Sequence, residues 1–426
     1  MCESKAGVGL SRKWDAREAG REVAETALEK LDGEKPKFFL LFSTIHYEKY
    51  GGFQELLNGV WEVLPEGTPL IGGTVAGFMN NYGCFARGAT ALTVAYPNMD
   101  VAIGVGQNTK RNPRRAGRDC ANMIRDKLKE TKFPHKFILD VISGGIVPQI
   151  GDLGRRKVIR GVSSKVALSL LNISLTTLQT GVGREEEVLT EFTKYFDDWY
   201  VLHCSSMDDG KAISNYQFFN KEVGTNMIVA MGVCTDTDVD ISSCNSLSVI
   251  KTFKVDKLSK DGRIIHRING KPAAQEFLNL LGWPEEYLDE QLFKRTFFYP
   301  IGFKKEGKWF AEIIGIIAEN SIVVLHKIED KNMAILSASG ENLMEAVKKS
   351  LSMLNVRKPS IGIISTCEGR LEALGPQIFI VREELLKYFG EAPFIALYCG
   401  GEAIKKPNCE VEYNNVTFSP LVMSEP

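Results

Sequence analysis

Apolar runs that end in small or polar residues recur three times along this chain, each in the same setting. The first run of each set covers residues 38–44, 136–145 or 360–367. A helical stretch follows, then a second apolar run that breaks at Gly72-Gly73-Thr74, His203-Cys204-Ser205 or Gly400-Gly401-Glu402. A polar hairpin-like segment and a closing strand over 89–95, 226–233 or 415–419 complete each set. Buried strands that end in Gly, Ser and Thr bring backbone N–H groups and short side chains to a sheet edge, where a small ligand can approach. At a single break, small residues need mean no more than a tight turn. Three breaks in the same order predict a duplicated strand–helix–strand architecture with a shared functional edge. The second copy is bulkier there, because His203-Cys204-Ser205 stands where the others carry a glycine pair.

Between and beyond these runs the periodicity is mostly helical. Ala16, Ala19, Val23, Ala27 and Leu31 predict a helix over 11–31, with Gly33 past its end. Phe53, Leu56, Leu57, Val60 and Leu64 make one apolar face that Pro65 terminates. Strands fit 68–72 and 101–105, and a helix over 113–129 precedes the second copy. That copy's own helix spans 184–196, with Glu185, Glu186 and Glu187 in the first turn, where the helix dipole favours carboxylates. From 144 to 180 only Val166, Leu168, Leu170 and Leu171 mark a short helix.

Near 241–246 the character changes, although no linker-like composition marks the boundary. Residues 247–255 and 263–268 alternate as strands around an Asp261-Gly262 turn. Pro272 opens a helix that Gly282 closes. A hairpin over 312–317 and 322–327 and a helix marked by Leu343, Val347, Leu351 and Leu354 lead into the third copy. The fold class expected is α/β: mixed sheets with packed helices, internally repeated units, and two associated domains.

Composition narrows the function. A chain of 426 residues is too long for one core. With 52 Lys+Arg against 53 Asp+Glu, no global field attracts nucleic acid or anionic lipid. The basic clusters at 110–115 and 155–157 lack the interleaved aromatics on which a single-strand binder stacks bases. Nine cysteines, with no C-x-x-C pair, argue against a disulfide framework or a zinc ribbon and fit a reducing cytoplasm. No stretch approaches the roughly 18 apolar residues of a membrane span, and residues 1–20 lack a signal-peptide core. Neither nucleic acid nor membrane is an expected partner.

The candidate chemistry gathers in the third copy. Cys367 follows a buried strand, Arg370 stands three residues on, and Glu402 ends another strand. Arg370 can fork a ligand carboxylate while Glu402 accepts an ammonium, which suits an amino acid. Equally, the two can pair with each other or cap nearby backbone. Cys367 or Cys204 as an activated nucleophile defines the alternative, a thiol-dependent enzyme, against the commoner buried structural thiol. His46 and His203, without a third donor at ligand spacing, point to no metal site. Residues 302–308 match the opening of a phosphate loop, but Trp309 replaces the magnesium-holding Ser or Thr, so a hairpin turn is expected. Residues 79–83 read as a turn before they read as a ligand-covering loop. No cofactor motif is present.

Taken together, several segments resemble the FIST family. Ala6-Gly7-Val8-Gly9-Leu10-Ser11 with its alanine-rich helix and Pro69-Leu70-Ile71-Gly72-Gly73 are similar to its N-type domain. Gly270-Lys271-Pro272-Ala273-Ala274, Ser365-Thr366-Cys367-Glu368-Gly369-Arg370, Ala396-Leu397-Tyr398-Cys399-Gly400-Gly401-Glu402 and Asn414-Asn415-Val416-Thr417-Phe418 are similar to its C-type domain. The resemblance implies an N-type domain over 1–240, holding two copies, and a C-type domain over 243–423. It also implies an intracellular sensory module that binds a small ligand, with amino acids a suggested class, rather than an enzyme. Joined to the strand-end argument, it selects Gly72, Gly73, Thr74, Cys367, Gly369, Arg370, Gly400, Gly401 and Glu402 as ligand-binding residues. No residues are left for a signalling output domain, so the reading is of a protein that signals through a separate signalling partner protein or acts as a free-standing binder.

Overall fold

The computed structural model describes residues 4–146, 158–159, 162–173 and 183–425. The basic cluster at 155–157 lies outside them. The first copy runs β1 (Lys5–Ser11), α1 (Ala16–Glu29), β2 (Phe38–Ser43), α2 (Phe53–Trp61), β3 (Leu70–Thr74), a hairpin of β4 (Gly77–Asn80) and β5 (Gly83–Phe85), and β6 (Ala89–Ala95). The second runs β7 (Met99–Gln107), α3 (Pro113–Leu128), β8 (His135–Ser143), β9 (Val158–Ile159), α4 (Val162–Ile173), α5 (Glu185–Thr193), β10 (Tyr200–Ser206), a hairpin of β11 (Gln217–Phe219) and β12 (Glu222–Gly224), and β13 (Met227–Thr235).

The third copy opens with β14 (Val239–Ile241) and is then interrupted by an insertion. The insertion comprises β15 (Ser248–Leu258), β16 (Ile264–Ile268), β17 (Lys271–Pro272), α6 (Ala273–Leu281), α7 (Leu292–Thr296), β18 (Ile301–Lys305), β19 (Lys308–Glu312), β20 (Ile314–Ala318), β21 (Ser321–Val324) and β22 (Asn332–Ser337). The copy resumes as α8 (Gly340–Ser352), β23 (Pro359–Cys367), α9 (Glu368–Leu374), α10 (Ile378–Phe389), β24 (Phe394–Cys399), a hairpin of β25 (Glu402–Lys405) and β26 (Glu412–Asn414), and β27 (Phe418–Ser424).

The repeat is real at the level of pairing. In each copy two parallel strands lie side by side: β2 with β3, β8 with β10, and β23 with β24. Each closing strand runs antiparallel to the first of the pair and takes the copy's opening strand on its other edge, giving β1-β6-β2-β3, β7-β13-β8-β10 and β14-β27-β23-β24. The hairpins do not stay with their own sheets. β4 pairs with β24 of the third copy, β11 with β3 of the first, and β25 with β10 of the second. Each copy therefore caps the open edge of another, in a closed cycle of three.

Strand parity explains how the layers assemble. On β2, Phe38, Leu40 and Phe42 point into a core shared by all three copies, while Phe39 and Leu41 point out under α1 and α2. On β8, Phe137, Leu139 and Val141 share the central core, and Ile138 and Ile142 pack outward under α3 and α5. The third copy does the same with Ile361 and Ile363 inward and Ile364 outward. A strand buried on both faces reads as an unbroken apolar run, which is the pattern of all three. The insertion builds most of a further sheet, ordered β19-β18-β22-β15-β16-β21-β20-β9, whose edge strand β9 comes from the second copy, over a separate core that includes Val255, Phe277, Leu292 and Ile335.

Two boundaries moved for identifiable reasons. The first helix starts at Ala16 rather than at 11, because residues 5–11 pair with β6 and Asp15 caps the helix by accepting from the Glu18 N–H. The last strand begins at Phe418 rather than at 415, because Asn415 instead bonds the insertion's Ala311 carbonyl and Thr417 turns to Glu402. Residues 79–83 form the β4–β5 hairpin turn, and 302–308 the β18–β19 hairpin. Among the described residues no helix is long and apolar enough to cross a membrane.

Candidate functional site

The ends of the second parallel strands converge. The Ala76 N–H donates to the Tyr398 carbonyl at 2.9 Å, Met207 N–H to Thr74 at 2.9 Å, and Ser205 and Gly400 exchange bonds with Gly401 and Ser205 at 3.0 Å. Beside this junction a cleft opens between the third copy and the insertion, with a free space of about 430 Å³ including its mouth. Cys367, Glu368 and Gly369 form one wall where β23 becomes α9, and Cys399 and Gly400 continue it after β24. Met207 closes one side, and Phe297, Ile313 and Leu325 of the insertion face it. The lining is apolar with one carboxylate, Glu368.

Of the residues expected to hold a ligand, Cys367, Gly369 and Gly400 line this cleft; Gly72, Gly73, Thr74, Arg370, Gly401 and Glu402 do not. A Cβ at Gly72 would lie 1.7 Å from the Leu41 carbonyl, so that glycine serves strand packing. Thr74 spends its hydroxyl on the Tyr216 N–H at 3.0 Å and its own N–H on the Tyr216 carbonyl. Arg370 is wholly enclosed and donates to the main-chain carbonyls of Leu343 at 2.7 Å and Val416 at 3.4 Å, beneath the Phe418 ring. Its fork ties α8 to the loop before β27, which is the backbone-capping arrangement. Glu402 is also fully buried and accepts from the Thr417 N–H at 3.2 Å and hydroxyl at 2.9 Å. Burial pushes its carboxyl up to about 8, against the opposing pull of the Thr417 bonds and the Arg370 charge. Burial likewise pushes the Cys367 thiol well up, with Glu402 adding to the effect, so the thiolate an enzyme would need is disfavoured.

Sequence reasoning missed a second constellation on the outward face of the second sheet. Parallel register sets His203 beside Asp140, and their Nδ1 and Oδ1 atoms lie 2.6 Å apart, completely buried. His203 Nε2 bonds the Ser205 hydroxyl at 2.9 Å, and Ser205 reaches Tyr413 at 3.4 Å. Tyr413 meets His326 Nε2 at 2.9 Å, and His326 Nδ1 meets Glu312 at 3.1 Å. Two carboxylate–imidazole pairs are thus joined through two hydroxyls across the seam between the second copy and the insertion. The Asp140–His203–Ser205 order is that of a hydrolytic triad, but Ser205 is sealed and lies 3.5 Å from a Glu185 oxygen, where an acyl-transfer site would need donors. Burial raises Asp140. For His326 burial acts downward, but Glu312, Glu185 and Glu186 outweigh it and push the imidazole up to about 9. Asp140 inside an otherwise apolar run, and His203-Cys204-Ser205 in place of a glycine pair, were the sequence signals for this network.

A model of the FIST N domain matches residues 37–271, and one of the FIST C domain matches 273–405. The chain belongs to the FIST family. No curated protein matches it. FIST domains are associated with signal transduction and sensing. The FIST N match spans the rest of the first copy from β2, the whole second copy and the start of the insertion; the FIST C match begins at α6 and carries the cleft residues of β23, α9 and β24.

Proposed function

We propose that this FIST protein is a cytoplasmic sensory protein that binds a small ligand in the cleft between its third copy and the insertion and signals through a separate partner protein. The observation that carries this reading is the lining: Met207, Phe297, Ile313 and Leu325 offer apolar contact, Gly369 and Gly400 keep the backbone close, and Glu368 is the single carboxylate. Such a lining favours a ligand with an apolar body and a cationic or hydrogen-donating head. An amino acid or amine meets that description through its ammonium, with Glu368 in the accepting role given earlier to Glu402. With Arg370 turned to backbone carbonyls, the ligand carboxylate gains no guanidinium partner in the cleft.

The test is a thermal-shift screen of amines and apolar amino acids on the purified protein, since a ligand that binds only the folded state raises the melting temperature. Ile313→Trp fills the cleft from the insertion side. The expected result is stabilisation by one or more amines in the wild type that is lost in Ile313→Trp. Hits that stabilise both proteins equally would place the binding site elsewhere and defeat the proposal.

A further inference from the structure

Along the cleft wall, neighbouring residues divide between two environments. Leu325, Ile313 and Gly400 face the cleft, whereas His326, Glu312 and Gly401 turn to the buried polar cluster behind it. There Glu185 and Glu186, the first two residues of α5, meet His326, with one donor atom from each lying within 4.8 Å of the others. Glu185 is 2 % exposed, and its Oε2, like that of Glu186, has no hydrogen-bond partner among the described residues. The other oxygens are accounted for: Arg263 pairs with Glu186 Oε1, and Ser205 approaches Glu185 Oε1. A carboxylate oxygen stripped of water and left bare is strongly unfavourable unless a cation meets it.

We propose that Glu185, Glu186 and His326 form a binding site for a divalent transition-metal ion of the zinc or manganese class. Imidazole and carboxylate donors without a thiolate select that class over softer ions such as copper(I). Glu312 holds His326 Nδ1 at 3.1 Å, the arrangement in which a carboxylate orients a ligating imidazole and leaves Nε2 for the ion. The Tyr413 hydroxyl, 2.9 Å from Nε2, is placed to exchange that bond for the role of a further oxygen donor. The imidazole proton given up on binding passes to solvent. The entry route is past Glu186, whose side chain keeps 24 % of its exposure.

The experiment is calorimetric titration of the chelator-treated full chain with Zn²⁺ and, separately, Mn²⁺, on the wild type, Glu185→Gln, Glu186→Gln and Cys409→Ser. One tight equivalent is expected in the wild type and in Cys409→Ser, which removes an exposed free thiol as a competing zinc ligand. Affinity should fall roughly ten-fold or more in both glutamine variants. If Glu185→Gln fails to fold, Glu186→Gln, at the surface end of the site, makes the same comparison. Substitution with Co²⁺ should give visible bands without thiolate charge transfer. Absence of a tight equivalent, equal affinity in the glutamine variants, or a thiolate band would each overturn the proposal.

Discussion

Glu402→Gln tests the electrostatics of the third copy most directly. In the fold the Glu402 carboxyl titrates near 8 against an ordinary 4.5, because burial penalises its charged form. Between those values the folded protein keeps a proton that the unfolded chain has released. Stability therefore falls as pH rises, by about 1.4 kcal/mol per pH unit, and the loss is complete above 8. Across the full window the effect is on the order of 5 kcal/mol, large beside the usual 5–15 kcal/mol of a folded domain. Glutamine keeps an oxygen to accept from the Thr417 N–H and hydroxyl but stays neutral at every pH. Groups away from Glu402 titrate alike in the two proteins, and the Cys367 thiol it influences stays protonated over this range, so the difference between them isolates Glu402. Urea unfolding followed by tryptophan fluorescence at pH 5, 6.5 and 8.5 should show the variant gaining on the wild type at each step. A difference that stays constant with pH would refute the reasoning and mean that Glu402 is ionised in the fold throughout.

Two further outcomes follow from the packing. Gly401→Ala puts a Cβ 2.1 Å from the Tyr413 hydroxyl and should cost about 1–3 kcal/mol, whereas Gly400→Ala meets only the flexible Met207 sulfur at 3.3 Å and should cost less, as differential scanning calorimetry on the pair would show. Arg370→Met should destabilise by roughly 2–3 kcal/mol by removing the charged hydrogen bonds to the Leu343 and Val416 carbonyls, while Arg370→Lys should leave affinity for any cleft ligand unchanged in calorimetry.

How much of this was legible in the sequence depends on distance along the chain. The three apolar runs were readable because burial on both faces writes itself as consecutive residues, as Phe38 to Phe42 do. Gly282 as a left-handed helix end at φ 67° is a local feature and was read, whereas the equally local Asp15 cap was passed over and the helix placed from 11. The hairpin exchange is non-local: nothing in residues 77–80 says that their partner is 395–398. The same limit governed the site. Cys367, Gly369 and Gly400 line the cleft because they sit at strand ends, but the direction of a side chain leaving such an end depends on what packs over it. Arg370 turned inward because α8 and the loop before β27 supply accepting carbonyls there. His203 and Asp140 became partners only through a parallel register that a separation of 63 residues along the chain conceals.

The cyclic exchange of hairpins has a consequence for symmetry. A lone copy could not cover the edge of its second parallel strand, since its hairpin reaches outward to a neighbour. Two copies would leave one edge open and one hairpin unplaced. Three close the circuit, just as three identical subunits would close a ring with a heterologous interface. The protein is in this sense a trimer drawn on a single thread, and the thread brings a freedom that a true trimer lacks. Because the copies need not be identical, one position could take His203 in place of a glycine and another could accept a whole extra sheet. The cleft and the buried carboxylate cluster both lie along that break in symmetry, in a place where three equal subunits would have had to build everything three times.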